Sequence, residues 1–372
     1  VSDALSPPEA DRLDGAPHPR ETQWLYGQEA AEQDFLASFN TGRLHHGWLL
    51  TGPKGIGKAT LAWRIARFLI ATPEADDGLF GAPEPPNSLN IDDDHPVARR
   101  LLAGSEGNLF LIRRPFDDKT QKLRKEITVD EVRRLKSFLS LSAAEGGQRV
   151  VIVDAADELN TNAANALLKL LEEPPEKTTL LLIAHQPAGL LPTIRSRCRE
   201  LRCHGLGAAD LSLALHAAGV TDPFDADAVT TLTSGSVGQS FRLIASDGLQ
   251  IYADLVALFI KLPDFDRTQA LALAGTMVGK DAEQRFDLTL LLIDLFLARV
   301  ARTGIAGPPQ IEVVAQECAL LTRLASTPTA ARKWADLHHT LGAAARQGGA
   351  VNLDPAALVF DMVLKISQTA AG

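Results

Sequence analysis

The sequence predicts an α/β domain built on a mostly parallel sheet, followed by helices to the end of the chain. Three observations predict it. Strand-like apolar runs alternate with helix-periodic runs over residues 21–203, a glycine-rich loop joins the first strand to its helix, and strand-like runs stop after Leu206. Alternation of this kind buries a parallel sheet between helical layers.

The elements come in this order. Residues 28–39 read as a helix. Residues 48–51 form a short apolar strand that leads into Gly52-Pro53-Lys54-Gly55-Ile56-Gly57-Lys58-Ala59-Thr60. Residues 58–70 continue as a helix with Leu61, Ile65, Phe68 and Leu69 on one face. Residues 71–94, rich in Pro, Gly and Asp, read as a surface insertion. Strands at 109–112, 150–153, 179–184 and 200–203, with helices at 128–139 and 162–172, complete the alternation. Residues 210–217, 226–233 and 236–245 make a small helical group. Helices then run at 252–260, 267–274, 283–302, 312–325, 330–346 and 355–367, punctuated by Pro308-Pro309 and Gly348-Gly349. The expected division is a disordered leader (1–20), an α/β domain (21–204), a small helical domain (205–247) and a helical domain (248–372). The helix at 283–302 is apolar around much of its circumference, which suits burial in an assembly.

Composition narrows the function. A chain of 372 residues, 45% of them hydrophobic, exceeds one ordinary core. A net charge of −9 excludes a protein that coats nucleic acid over its whole surface. The three cysteines, Cys198, Cys203 and Cys318, have neither zinc nor redox spacing, which fits a reducing compartment. Residues 1–20 lack the apolar core of a secretory signal. The longest apolar run, 288–297, contains Asp294 and is too short to span a bilayer. The expectation is a soluble, cytoplasmic protein with no membrane partner.

The chemistry starts at the glycine-rich loop. Gly52, Gly55 and Gly57 let backbone N–H groups close around phosphate oxygens at a helix N-terminus, and Lys58 is placed to reach the outer phosphates. A Ser or Thr hydroxyl after that lysine would hold Mg²⁺, but Ala59 stands there. Thr60 is a poor substitute, because on a helix it points ~100° away from position 59. Asp154 ends an apolar strand, where a Mg²⁺-organising carboxylate belongs, and Ala155 stands next, where a catalytic Glu would polarise water. Asp157 and Glu158 read as solvated loop acids rather than a displaced base. The site looks built for a nucleotide and poorly equipped to hydrolyse one.

Arg195, Arg197 and Arg199 cluster before the last strand. One of them offered to a neighbour's triphosphate would act as an arginine finger, worth ~10³–10⁵ in rate; from spacing alone a solvated basic loop fits equally. Residues 113–136 are basic but interleaved with acids, and read as a solvated hairpin and helix face rather than a nucleic-acid contact. His45 and His46 lack companions at metal spacing and read as packing near the nucleotide site. Trp63 reads as packing on a neighbouring element.

The segment Asn165-Ala166-Leu167-Leu168-Lys169-Leu170-Leu171-Glu172-Glu173-Pro174-Pro175, with Ser196-Arg197-Cys198 further along, resembles the clamp-loader branch of the AAA+ ATPases. Arg43-Leu44-His45-His46, His95-Pro96 and Asn352-Leu353-Asp354-Pro355 are also similar to that family. The resemblance implies a P-loop AAA+ parallel-sheet domain, a helical lid and an all-α collar for oligomerisation. It also implies that Arg197 acts in trans on the ATP of an adjacent motor subunit. Motor subunits keep the hydroxyl after the lysine, the Asp-Glu pair and a lid arginine after a Gly-Ser pair. This chain has Ala59, Asp154-Ala155 and, in Gly235-Ser236-Val237-Gly238, a glycine in the arginine's place, all departures toward a non-hydrolysing subunit. An active motor with a displaced base is the alternative. The implied partners are gamma/tau and delta subunits of the loader and, through the complex, a sliding clamp and primer–template DNA. Family members commonly hold zinc through four cysteines after the P-loop helix, whereas 71–94 has none, so no zinc is expected there. No cofactor is expected to be required, and ATP, ADP or phosphate is expected to bind weakly.

Overall fold

The computed structural model describes residues 8–72, 84–140, 147–264, 266–277, 282–350 and 354–372. The chain divides into two compact units, one comprising the residues up to Thr221 together with Ser236–Gly238, the other Asp222–Gly235 with Gln239–Gly372.

The first unit is the α/β domain. In chain order it runs α1 (Glu29–Asn40), β1 (Gly47–Thr51), α2 (Lys58–Ala71), α3 (Pro96–Leu102), β2 (Leu109–Arg113), the short hairpin β3 (Phe116–Asp117) and β4 (Lys122–Leu123), α4 (Val129–Ser140), β5 (Arg149–Asp154), α5 (Thr161–Glu172), β6 (Thr178–Ala184), α6 (Pro192–Arg195), β7 (Arg199–Arg202) and α7 (Ala208–Ala217). Five strands form one parallel sheet in the order β2-β5-β6-β1-β7. Every residue of β1 and β6 is buried. Their sequences are therefore continuous apolar runs rather than alternating ones, as both faces of the sheet are covered. On one face Leu49, Val151, Leu180 and Leu182 pack with Val132 and Leu135 of α4 and Leu167 and Leu171 of α5. On the other, α2 lies across β1, β5 and β6.

The expected strands and helices of this domain are present, with ends shifted by one or two residues. Sequence reading missed α3, whose start is written in His95-Pro96. His95 Nδ1 accepts from Val97 N at 3.2 Å, and Pro96 occupies the first turn, where its missing N–H is no loss. Residues 73–83 of the expected insertion, and residues 1–7 of the expected leader, lie outside the described residues. The described end of the insertion carries the buried Leu89.

Residues 8–20 correct the expectation of a disordered leader. His18 and Asp11 are fully buried side chains, with His18 Nε2 3.1 Å from Asp11 Oδ2. Arg113, at the end of β2, pairs with Glu9 at 2.8 Å and with Asp11. His18 also meets the Trp63 ring edge-on, at 5.8 Å between centroids. Trp63 is thus a packing residue, as expected. The segment is ordered because its acids find a cation about a hundred positions away, which local composition cannot reveal. Burial opposes ionisation of Asp11, but His18 and Arg113 outweigh it and hold its pKa below the ordinary carboxylate value.

The second unit is helical: α8 (Ala226–Thr233), most of α9 (Val237–Ala245), α10 (Gly248–Ile260), α11 (Arg267–Gly275), α12 (Ala282–Ala306), α13 (Glu317–Leu324), α14 (Pro328–Ala350) and α15 (Pro355–Ala371). Helix α12 is its spine. Phe286, Ile293, Phe296, Leu297 and Val300 give it a buried face against α10, α13 and α14, while Leu291 remains exposed. Two sequence expectations change here. Gly348-Gly349 lie inside α14 rather than ending it. The helix expected from 312 begins at Glu317, whose buried carboxylate is taken by Tyr252 Oη at 2.5 Å, Arg299 Nε at 2.8 Å and Val313 N at 2.9 Å. Residues 312–316 form the turn that closes the carboxylate's hydrogen bonds, and so stay out of the helix. Among the described residues no single helix is long and apolar enough to cross a membrane.

Arg113→Met keeps the stem but leaves the buried Asp11 with His18 as its remaining partner. It should lower the unfolding free energy by about 3 kcal/mol at neutral pH, the scale of breaking a buried pair. The stability Asp11 contributes is present above its unfolded pKa and is lost as pH falls through its lower folded value, so the gap to wild type should close below about pH 4 in denaturant titrations.

Candidate functional site: a P-loop and its two sheet edges

The glycine-rich loop lies at the carboxyl end of β1. Gly52, Gly55 and Gly57 all have positive φ, at 138°, 81° and 99°. These are backbone conformations that side chains resist. Lys58 opens α2 and is 2% exposed. Its Nζ donates to the carbonyl of Gly52 at 2.6 Å and to that of Pro53. Burial lowers its pKa from 10.5 to about 8, against the pull of Cys203, Asp154 and Asp157. Ser236 Oγ donates to the Lys54 carbonyl at 2.8 Å and Gly238 N to the Gly55 carbonyl at 3.0 Å. The glycine standing at the expected lid-arginine position thus lies against the loop. A Cβ on Gly55 would fall 2.5 Å from Ser236 Oγ and 3.2 Å from Gly238 Cα.

The acids placed to serve a metal or a water are otherwise engaged. Asp154, level with Arg113 across the β2–β5 pairing, ends β5. Burial, then Asp11 and Glu158, push its carboxyl from 3.8 up to about 7, against the opposing pull of Lys58. Asp157 accepts backbone N–H groups from His185 at 3.1 Å and Gln186 at 2.9 Å, so it caps the loop after β6. Glu158 pairs with Arg114 at 2.8 Å. Each therefore has a structural partner that fixes its orientation. With a methyl at Ala59, the first turn of α2 offers no hydroxyl to ligate a nucleotide-bound Mg²⁺. The loop's N–H groups and Lys58 retain the means to bind an anion.

An open cleft of about 770 Å³ adjoins the loop, lined by Thr51–Lys54 on one side and by Asp157, His185, Arg202, Cys203 and His204 on others. Sequence reading missed His185. Burial and the nearby Lys58 push its imidazole down to about 4, so it is neutral at physiological pH. Cys203 is pushed up to about 11 by burial and is an inert packing thiol. Only the position of His185 immediately after β6 could have flagged it, since alone a histidine at a strand end carries no chemical signal.

The expected finger residue lies at the opposite edge of the sheet. Arg199 pairs in register with Trp48 and Arg202 with Thr51. Arg197 precedes β7 whereas the P-loop comes after β1, so the length of β7, ~10 Å at ~3.3 Å per residue, separates them. The Arg197 guanidinium is 3.0 Å from Glu172 Oε1, and its Nη1 donates to the Thr193 carbonyl at 3.1 Å. His45 and His46 are on this edge too, which corrects the expectation that they pack near the nucleotide site. They stack at 4.4 Å, and His46 Nε2 is 3.0 Å from the Leu171 carbonyl. Thr60 and Ala59 lie in the first turn of α2. In the basic stretch, Arg113 and Arg114 pair with Glu9 and Glu158, Arg124 with Asp117, Arg133 with Asp130 and Arg134 with Glu131. These arginines are therefore balanced locally.

The fold and the loop together define a P-loop protein built on a parallel α/β sheet. Residues 27–206 match the family described as DNA polymerase III, delta subunit. The chain is 41% identical over 164 residues to DNA polymerase III subunit delta' of Pseudomonas aeruginosa, covering 44% of each chain. It is 30% identical over 245 residues to subunit delta' of Escherichia coli, covering 64% of this chain and 67% of that one. To subunit tau of Escherichia coli it is 27% identical over 271 residues, covering 70% of this chain and 38% of that one. The chain belongs to the family of DNA polymerase III delta' subunits. The matches span less than half the length of several of these relatives, 44% for Pseudomonas aeruginosa and 46% for Yersinia pestis.

A carboxyl raised in the fold contributes stability that is present at low pH and is lost as pH rises through the folded value. Asp154→Asn removes that loss. Its thermal unfolding midpoint relative to wild type should therefore rise between about pH 5 and about pH 8, as measured by calorimetry.

Proposed function

We propose that this chain is a non-hydrolysing stator subunit of the DNA polymerase III clamp loader. It packs beside ATP-binding gamma/tau subunits and the delta subunit, and offers Arg197 to the triphosphate of one neighbouring motor site. Through that assembly it serves to open a sliding clamp at primer–template DNA. The observation that carries the reading is the position of Arg197: a half-exposed guanidinium on the sheet edge opposite its own P-loop. A cation there serves another chain's phosphate or none. Residues 205–247 and 248–372 are read as lid and collar, the collar forming the contact among subunits.

The chain's own pocket supports the same reading. Ala59 supplies no hydroxyl, Ala155 no carboxylate, and Gly238 no guanidinium. The acids that an active motor would need in compensation, Asp157 and Glu158, are taken by the His185–Gln186 backbone and by Arg114. Residual ATP, ADP or phosphate binding through Lys58 and the loop is weak and independent of Mg²⁺, and no zinc or other cofactor is required.

The isolated chain should show no Mg²⁺-dependent ATP turnover above background, and its nucleotide affinity should be unchanged by Mg²⁺. In the reconstituted loader, Arg197→Ala should depress DNA-stimulated hydrolysis at the single site it completes by ~10³-fold or more, seen as loss of that site's share of total turnover. Brisk hydrolysis by the isolated chain, or an unaltered rate in the Arg197→Ala complex, would falsify the proposal.

A further inference from the structure

We infer that Glu172 parks the Arg197 guanidinium and surrenders it to a polyphosphate presented by a neighbouring chain. This rests on the proposed role of Arg197 and assigns its partner within the subunit.

The backbones beneath the two side chains are held together. Gly47 lies so close to them that a Cβ there would fall 2.9 Å from Leu171 Cδ2, 3.3 Å from the Arg197 carbonyl oxygen and 3.4 Å from Cys198 Sγ. His46 is bonded to the Leu171 carbonyl at 3.0 Å, which ties the last turn of α5 to the start of β1. Arg197 N donates to the Ile194 carbonyl at 3.1 Å. Leu171 is the residue before Glu172, so the seat that fixes Arg197 also fixes Glu172. Beyond that seat the guanidinium is held by Glu172 and by the Thr193 carbonyl, to which its Nη1 donates at 3.1 Å.

Those side chains meet in solvent. Arg197 Nη2 lies 3.0 Å from Glu172 Oε1, with the side chains 37% and 44% exposed. An exposed pair of this kind shifts an equilibrium by at most about fivefold. A triphosphate brings several negative charges and planar pairs of acceptors that match the guanidinium fork, so it takes the cation from a single carboxylate. Until then Glu172 restricts a side chain with many rotamers to one region of that edge. When Arg197 leaves, the uncompensated carboxylate remains beside the incoming phosphates. Glu172 is thus a positioning residue whose charge opposes engagement, and its removal should favour nucleotide binding at the neighbouring site.

The test uses the reconstituted loader carrying wild type, Glu172→Gln, Arg197→Ala or both, with KM and kcat for DNA-stimulated ATP hydrolysis measured at low ionic strength. Glutamine keeps the size and a neutral acceptor. Glu172→Gln should lower KM for ATP by about two- to fivefold, with kcat changed by less than about twofold. In the Arg197→Ala background the same substitution should change neither parameter. An unchanged or raised KM in Glu172→Gln, with Arg197→Ala still impaired, overturns the parking role while leaving the finger role standing. So does an equal drop in KM without Arg197, which would make the effect one of general surface charge. If Arg197→Ala alone is without effect, the finger role fails and the parking role fails with it.

Discussion

The parallel pairing of β1 with β7 is the constraint on which the rest depends. In a parallel pair both strands start on the same edge. A group just before one strand is therefore kept from a group just after the other by the length of the strand. Here the P-loop comes after β1 and Arg197 before β7. The chain carries its glycine-rich loop on one edge and the Arg197 guanidinium on the other, with the hydrogen-bonded ladder between them. The burial of β1 and β6 on both faces makes that separation rigid.

Burial and charge at the carboxyl edge shape the loop and the acid beside it. Lys58 is turned onto the carbonyls of its own loop. Asp154 feels burial together with the negative charges of Asp11 and Glu158, and its affinity for a proton rises accordingly. Asp11 belongs to the N-terminal segment, so a stretch outside the α/β alternation affects the protonation of the strand-end acid. The hydrogen bonds from Ser236 and Gly238 complete the loop's surroundings with backbone and hydroxyl groups rather than with charge. Together these contacts hold the loop in its shape.

The amino edge is arranged differently. Gly47, His46, Leu171 and Cys198 form a tight seat, and burial pushes the Cys198 thiol up to about 12, which keeps it an unreactive packing group. The guanidinium above that seat is left half exposed, against the Glu172 carboxylate and the Thr193 carbonyl.

Much of the fold was legible in the chain. Apolar runs bounded by turn residues marked β1, β2, β5 and β6, and 3.6-residue periodicity marked most helices, because both patterns arise from burial of one local segment. The loop, its missing hydroxyl at Ala59 and the missing acid at Ala155 were equally readable, since each is a property of one position beside another. What tertiary structure decided were relations between distant positions. Glu9 and Asp11 looked like part of a solvated leader until Arg113 was brought to them. His45 and His46 are close to the P-loop in sequence but lie across the strand from it, because β1 carries the chain from one edge of the sheet to the other. Asp157 was visible as an acid near the site, but only the fold showed its lone pairs committed to His185 and Gln186. Sequence specifies which groups a segment can offer; the sheet, by fixing which strand ends share an edge, determines which of those groups meet.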